Sequence, residues 1–359
     1  MKILILANHD LGLYQFRKEL IQELLKENEV FISLPDGEFI KNFKQMGCGF
    51  IDTKIDRRGI NPKKDISLLA SYYKMIKRVK PDLVITYTIK PNIYGGMVCR
   101  LLKIKYVVNI TGLGTAFEKE GLLRKFVTQL YSIACKKAKI VFFENEENRR
   151  IFIQNKIVKE SKTYRLNGAG VNLSHYKVLE YPKGENIKFL FMGRVMAEKG
   201  INELFQAMKK LVNSGVNCEL TVLGQYEENY KEIISKYEEE GWLHYYGYQK
   251  DVCPFINNSH CFVLPSWHEG MANTNLECAA SARPIITSNI AGCKEAVIEN
   301  VSGFLAQSKN ADDLFVQMKK FTELTYEEQK KMGLKGRRHM ENTFDKNKVV
   351  ETTIKKIFG

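Results

Sequence analysis

Short apolar runs alternate with amphipathic stretches along this chain, and that alternation constrains the fold more than any other feature. Residues 3–7, 30–34, 50–51, 83–87, 106–110 and 140–144 read as strands. Between them, 17–27 carries Leu20, Ile21, Leu24 and Leu25 at helical spacing, and 39–46, 67–77, 92–102 and 122–138 also read as helices. Strands alternating with helices predict a doubly wound, mainly parallel α/β sheet with helices on both faces. After the polar connection 167–172 and a charged stretch to 186, the pattern restarts. Strands are expected at 188–192, 218–223, 244–246, 261–264 and 284–287, and helices at 201–213, 229–240, 252–257 and 275–281. Two similar α/β domains in tandem, 1–170 and 171–340, with a cleft between them, are the economical reading. A closing helix within 341–359 is expected to return to the first domain. Open sheets of this kind bind ligands beyond the carboxyl ends of their strands.

Bulk properties narrow the class. A chain of 359 residues is long enough for two domains, and 44% hydrophobic with 27% charged residues is globular. No apolar run approaches the ~20 residues that span a bilayer, and the first residues read as a buried strand rather than a signal peptide. The eight Cys are scattered without a C-x-x-C pair, which argues for reduced thiols in a cytosolic protein and against zinc. The charge is uneven. Residues 1–170 hold 31 Lys and Arg against 17 Asp and Glu, a net +14, whereas 171–359 hold 24 of each. A basic half beside a neutral one suggests different partners: anionic lipid, a phosphorylated acceptor or nucleic acid for the first, unless the charge only solvates the surface. The stretch 120–139 places Leu122, Leu123, Phe126, Leu130 and Ile133 among Arg124, Lys125, Lys136, Lys137 and Lys139. Core packing explains its apolar residues as well as lipid does. Arg57-Arg58 and Lys63-Lys64 form a second basic cluster.

The richest window runs from Cys261 to Cys293. An apolar run leads into Trp267-His268-Glu269-Gly270-Met271, and seven residues separate Glu269 from Glu277. The order is strand, loop, helix, strand. A helix start offers unbonded amides and a positive dipole end, which suit a phosphate. A carboxylate one turn in is placed to hold sugar or ribose hydroxyls. Thr274-x-x-Glu277 also fits a capping box, in which Glu277 only satisfies a backbone amide. Upstream, Gly193-Arg194 and Glu198-Lys199-Gly200 sit on a strand–helix connection, where Arg194 and Lys199 together are expected to neutralise a diphosphate. In the first domain, Gly12 lies in the loop His9-Asp10-Leu11-Gly12-Leu13 and permits close backbone approach, with His9 and Asp10 as candidate contacts. No Asp-x-Asp occurs, so cations and a helix terminus are expected to replace a divalent metal, and no metal or other cofactor is expected.

These residues resemble those of retaining glycosyltransferases of family 4, which have the two-Rossmann GT-B architecture. The matching pieces are Gly193-Arg194…Lys199-Gly200, Gly247-Tyr248…Asp251, Glu269-Gly270…Asn275-Leu276-Glu277, Gly292-Cys293-Lys294-Glu295 and Ser302-Gly303-Phe304-Leu305. In the first half, Gly12-Leu13-Tyr14…Phe16-Arg17, 87–92 and Thr111-Gly112-Leu113-Gly114 resemble a bacterial surface-polysaccharide subgroup, including enzymes that extend polyprenyl-diphosphate-linked sugars. The resemblance implies an acceptor-binding first domain and a nucleotide-sugar-binding second domain. It implies Arg194 and Lys199 on the donor diphosphate, Glu277 on the ribose, and the amides near Asn275 and Leu276 on the distal phosphate. Glu269 would contact the transferred sugar, Gly270, Met271 and Gly12 would lie against the donor, and Tyr248 would line the base pocket. His9, Asp10, Arg17 and Thr111 would lie on the acceptor side. The donor is expected to be a UDP-sugar carrying a hexose or N-acetylhexosamine. The acceptor is expected to be a polyprenyl-diphosphate-linked glycan at the inner face of the cell membrane, with peripheral contact to anionic lipid. The chain departs from the pattern at Thr111, near which many members carry a His, at Asn172, where Asp is common, and at Ala272, where Pro is frequent. Two alternatives are a nucleotide-sugar epimerase of the same architecture and a basic nucleic-acid-binding protein. The second is disfavoured because the basic half carries no nucleic-acid-binding motif.

Overall fold

The computed structural model describes residues 1–56, 59, 61–114, 117 and 121–359. Arg57, Arg58 and Glu120 lie outside the described residues. The chain forms two compact units: Met1–Ala169 together with Asn347–Gly359, and Gly170–Lys346. The connection cuts before Gly170. Residues up to Lys346 stay with the second unit because the Val171 amide donates to Phe344 O (2.7 Å) and the Lys346 amide to Val171 O (3.1 Å).

In the first unit, strands β1 (Lys2–Leu6), β2 (Glu29–Leu34), β3 (Gly49–Asp52), β4 (Leu83–Tyr87), β5 (Lys105–Ile110), β6 (Ile140–Phe143) and β7 (Thr163–Arg165) pair in parallel in the order β3-β2-β1-β4-β5-β6-β7. Its helices are α1 (Asp10–Leu25), α2 (Ile40–Gln45), α3 (Pro62–Val79), α4 (Gly96–Leu102), α5 (Leu122–Cys135) and α6 (Glu146–Gln154). Strand side chains alternate between faces, so a sheet covered on both sides needs apolar residues at every position. Strand β1 shows the result. Leu4 and Leu6 pack with Tyr72, Ile76 and Tyr131, while Ile3 and Ile5 pack on the other face with Leu20, Ile21 and Leu24.

The second unit holds α7 (Ile201–Asn213), α8 (Lys231–Glu239), α9 (Cys253–Asn257), α10 (Asn273–Ala280), α11 (Ala311–Thr322) and α12 (Tyr326–His339). Its strands are β8 (Ile187–Met192), β9 (Cys218–Leu223), β10 (Leu243–Gly247), β11 (Cys261–Leu264), β12 (Ile285–Ser288) and β13 (Gly303–Ala306). They also pair in parallel, in the order β10-β9-β8-β11-β12-β13. The last helix, α13 (Lys346–Phe358), buries Ile357 in the core of the first unit.

Element boundaries differ from the sequence reading where caps decide them. Helix α1 begins at Asp10 rather than 17, because His9 is extended and its Nδ1 accepts the Gly12 amide at 3.4 Å. Helix α3 begins at Pro62 rather than 67, because Asn61 Oδ1 accepts the Lys63 and Lys64 amides at 3.0 and 3.3 Å. The expected helix 92–102 splits into a π turn, Pro91–Gly95, and α4. Helices α6, α11 and α12 went unread, although Asn145, Asn310 and Thr325 cap them, the last with Glu328 in a capping box.

Candidate active site

In the second sheet β8 and β11 are neighbours, and their connections lead to opposite sides: β8 to β9, β11 to β12. That is a topological switch point, where the loops beyond the strand ends diverge and leave a crevice. The two sequence windows leave the sheet here. Beyond β8 come Gly193, Arg194, a short turn Ala197–Lys199 and Gly200. Gly200 has φ +73°, and a Cβ there would lie 2.0 Å from Pro265 O, so only glycine lets the β8 connection press against the β11 connection. The two are further joined by the Trp267 amide, which donates to Glu198 O (3.0 Å), and by Trp267 Nε1, which donates to Glu203 Oε1 (3.0 Å).

The clamped loops bring Lys199 and Glu269 together. Lys199 Nζ is ion-paired with Glu269 Oε1, and the Ser266 hydroxyl donates to the same oxygen at 2.9 Å. The side chains are 19% and 13% exposed, so the pair is sheltered yet reachable. Arg194, expected beside Lys199, lies on the same connection and meets a different carboxylate. It is 46% exposed and 3.6 Å from Glu227 Oε2. A third loop holds Glu269 from behind. Gly292 (φ +86°) packs so closely that a Cβ would lie 2.7 Å from Glu269 O and 2.8 Å from Gly270 O, and Gly292 O accepts the Ala272 amide at 2.7 Å.

Helix α10 corrects two assignments. It starts at Asn273, two residues earlier than expected, so the amides of Asn275 and Leu276 donate to Ala272 O at 3.0 and 3.4 Å. The amides of Asn273 and Thr274 precede those first helical bonds and are the ones the helix start presents. Asn275 and Leu276 are fully buried, and Asn275 Nδ2 donates to Thr287 Oγ1 at 3.1 Å. Met271 is also buried. The capping-box alternative for Glu277 fails, because the cap is Ala272 and Thr274 lies inside the helix. Glu277 instead shares a hydrogen bond with Tyr176, and burial raises its pKa to about 7 against the opposing pull of that bond and of Lys346. Burial and Glu277 together raise the Tyr176 hydroxyl as well. Tyr176 sits on a turn whose amides at Ser174 and His175 donate to Asn172 Oδ1 at 3.1 and 2.9 Å. Nothing local in the sequence pointed to Tyr176 or Lys346. Ser266, three residues before Glu269, was within reach of inspection. Tyr248 follows the edge strand β10 and is 43% exposed.

In the first unit, His9, Asp10 and Arg17, expected on the acceptor side, make structural contacts of their own. Gly12 lies in the first turn of α1, not in a loop. His9 caps that helix. Asp10 is buried, and its Oδ2 accepts the Phe39 amide at 2.9 Å, tying α1 to the start of α2. Arg17 is ion-paired with Glu144, the two side chains being 12% and 9% exposed, and its guanidinium lies 5.2 Å from the Tyr87 ring centre. Thr111 directly follows β5.

Two family models match the chain in tandem, "Glycosyl transferase 4-like" over residues 2–145 and "Glycosyl transferases group 1" over residues 178–339. The chain is 27% identical over 332 residues to the N,N'-diacetylbacillosaminyl-diphospho-undecaprenol alpha-1,3-N-acetylgalactosaminyltransferase of Campylobacter jejuni, covering 88% of this chain and 87% of that one. It is 27% identical over 289 residues to the UDP-Gal:alpha-D-GlcNAc-diphosphoundecaprenol alpha-1,3-galactosyltransferase of Escherichia coli, covering 74% and 73%. Among solved structures, Anabaena HepE in complex with UDP and glucose superposes with a TM-score of 0.82 at 15% identity, over 99% of both chains. With two parallel α/β units and matching models over both halves, the chain belongs to the family-4-like glycosyltransferases of the GT-B fold.

Proposed function

We propose that this glycosyltransferase moves a hexose or N-acetylhexosamine from a UDP-sugar to a growing polyprenyl-diphosphate-linked glycan of a surface polysaccharide or glycoprotein, with retention and without a metal. The observation that carries the reading is the Lys199–Glu269 pair at the switch point of the second sheet. As a donor breaks, negative charge grows on the leaving diphosphate and positive charge near the anomeric carbon. A fixed cation and a fixed carboxylate side by side match that separation, and such preorganised charges act most strongly in the transition state. On this reading the incoming diphosphate takes Lys199 from Glu269, Arg194 adds a second cation, and the freed carboxylate turns to the sugar. Metal independence rests on these cations and on the lack of Asp-x-Asp. The acceptor class rests on the two relatives, whose names specify undecaprenyl-diphosphate-linked substrates, and the uridine on the galactosyltransferase and on the UDP bound by the Anabaena protein. A nucleotide sugar and a lipid-linked acceptor meet at the cytoplasmic face of the cell membrane, where this reading puts the protein.

A panel of nucleotide sugars, first screened by thermal stabilisation, then incubated with polyprenyl-diphosphate saccharides in excess EDTA, tests the reading. The expected result is one UDP-sugar that stabilises the protein and is transferred with its anomeric configuration kept, as read by NMR of the product. Transfer that is abolished by EDTA and restored by Mg²⁺ or Mn²⁺ removes metal independence. An inverted product removes retention. Conversion of the UDP-sugar to its epimer without transfer replaces the reading with the epimerase.

A further inference from the structure

The second sheet is covered unevenly. Along β9 and β10 the side chains alternate: Leu220, Val222 and Leu243 are buried, while Glu219, His244 and Tyr246 point to the opposite face and stay partly exposed. A doubly wound sheet needs helices on that face too, but the crossover from β10 to β11 carries only α9, whose five residues extend ~7.5 Å. What it leaves open is a cavity of about 380 Å³, whose lining includes Lys188, Glu219, His244, Tyr246, Phe255 and Asn258. Lys188 and Glu219 are partners in the β8–β9 register, and Lys188 Nζ lies 3.7 Å from Glu219 Oε1. His244 Nε2 lies 3.8 Å from Glu219 Oε2, which also accepts a bond from Asn186 Nδ2 at 2.8 Å. Lys188 Nζ donates to Asn258 Oδ1 at 3.5 Å. Tyr246 is 52% exposed, and its ring centre is 5.0 Å from that of Phe255, with the planes at 59°. Phe255 in turn packs against the core. Lys188 lies four residues, ~13 Å, before the end of β8, so the cavity is separate from the crevice that holds Lys199 and Glu269.

We propose that this cavity is an accessory saccharide site, which takes a short neutral segment of the glycan that the enzyme extends. Its volume falls in the range of small-molecule sites, ~300–1,000 Å³. A sugar hydroxyl both donates and accepts, so a site for it needs both kinds of group. Lys188 and the Asn258 amide nitrogen donate, the Glu219 carboxylate accepts, and the His244 imidazole does either. The opposite charges of Lys188 and Glu219 disfavour a phosphate, which would meet the carboxylate beside the ammonium. The exposed Tyr246 ring offers an apolar face to the C–H side of a sugar ring. The saccharide chemistry rests on the cavity alone; the growing glycan as its source rests on the transferase reading. A glycan held at a second point stays at high effective concentration near the enzyme.

The test is saturation-transfer NMR of the full-length protein with the methyl α-glycosides of glucose, galactose, N-acetylglucosamine and N-acetylgalactosamine and their α-1,3-linked disaccharides, with and without UDP. At least one saccharide is expected to bind whether or not UDP is present. Tyr246→Ala and Glu219→Gln are each expected to raise its Kd about tenfold or more. Both variants should keep the wild-type melting temperature and stabilisation by UDP, since Tyr246 is half exposed and Gln still accepts from Asn186. In transfer assays Tyr246→Ala should raise KM for a polyprenyl-diphosphate oligosaccharide but not for a polyprenyl-diphosphate monosaccharide, with kcat unchanged. No bound saccharide, or one that either variant holds as tightly as wild type, overturns the proposal. So does a saccharide displaced by inorganic phosphate, which would assign the cavity to an anion, or one lost in Glu269→Gln, which would place it in the donor crevice. Saccharide binding with KM unchanged for both acceptors overturns the growing glycan as the source. Failure of UDP to stabilise the protein bears on the donor reading instead, because saccharide binding is read without UDP as well.

Discussion

The most consequential residue-scale fact is that Lys199 and Glu269 neutralise each other before any donor arrives. Charge-assisted contacts to a phosphate contribute about 1.5–3 kcal/mol, but Lys199 must first leave its carboxylate. Lys199→Ala is therefore expected to weaken UDP binding by only about 1.5 kcal/mol, roughly tenfold. Glu269→Gln removes the competitor for Lys199, so UDP should bind as tightly or tighter while kcat falls on the order of 100-fold. Calorimetry with UDP and steady-state kinetics separate the two effects; weaker UDP binding by Glu269→Gln would contradict the exchange of partners. Glu277 supplies a pH prediction. Its pKa rises from 4.5 to about 7, so between those values the folded protein holds a proton that the unfolded chain has lost. The stabilisation is complete below pH 4.5 and is lost as pH rises through about 7. Its full extent is about 3 kcal/mol. Glu277→Gln, which mimics the neutral form, should flatten this part of the stability–pH curve and melt higher than wild type at pH 8. A wild-type slope retained in the variant would assign the effect to another group.

At the scale of elements, the site is made of three connections pressed together at the ends of β8, β11 and β12. Glycines with positive φ permit the approach. Gly292 meets backbone carbonyls of Glu269 and Gly270 rather than flexible side chains, so an added methyl forces the loop itself to move. An alanine in the left-handed region costs about 1–2 kcal/mol before any clash. Gly292→Ala is thus expected to lower the melting temperature by several degrees and to reduce kcat by displacing the Glu269 loop. Unchanged melting and kcat would show that the loop gives way without consequence. Elements also explain the failed capping-box reading: moving the start of α10 by two residues changes which amides are presented and turns Glu277 towards Tyr176.

At the scale of the molecule, the last helix belongs to the first unit although nearly all of the second unit separates them in sequence. Helix α13 buries Ile357 and Val349, rests Lys356 over the Tyr164 ring at 4.6 Å, and accepts a bond from Lys139 Nζ at Ile357 O (2.8 Å). Burying an aliphatic side chain contributes about 1.5–3 kcal/mol. Deleting residues 347–359 is therefore expected to destabilise the first unit by roughly 3–6 kcal/mol, seen by calorimetry as an earlier transition. UDP should still stabilise the remaining transition. An unchanged first transition would show that the helix is dispensable.

The parallel doubly wound architecture was legible in the sequence, because strands buried on both faces must be largely apolar, as β11 is throughout and β1 is from Ile3 to Leu6. Lys199, Glu269 and Glu277 were legible as candidate site residues because strand–loop–helix order puts such residues beyond strand ends. Their partners were not. Lys199 meets Glu269 and Tyr176 meets Glu277 only because separate connections converge at one edge of a sheet, and no local pattern encodes that. Arg17 makes the same point in the first unit: its burial against Glu144, far away in sequence, is a tertiary event that no local pattern announces. Helix α5 marks the limit most clearly. Helical periodicity states which side chains share a face, and its apolar residues suited core or lipid equally well. Only the packed structure decided that Leu122, Phe126 and Ile133 face outward, because what a face meets depends on the elements already filling the core, not on its own spacing.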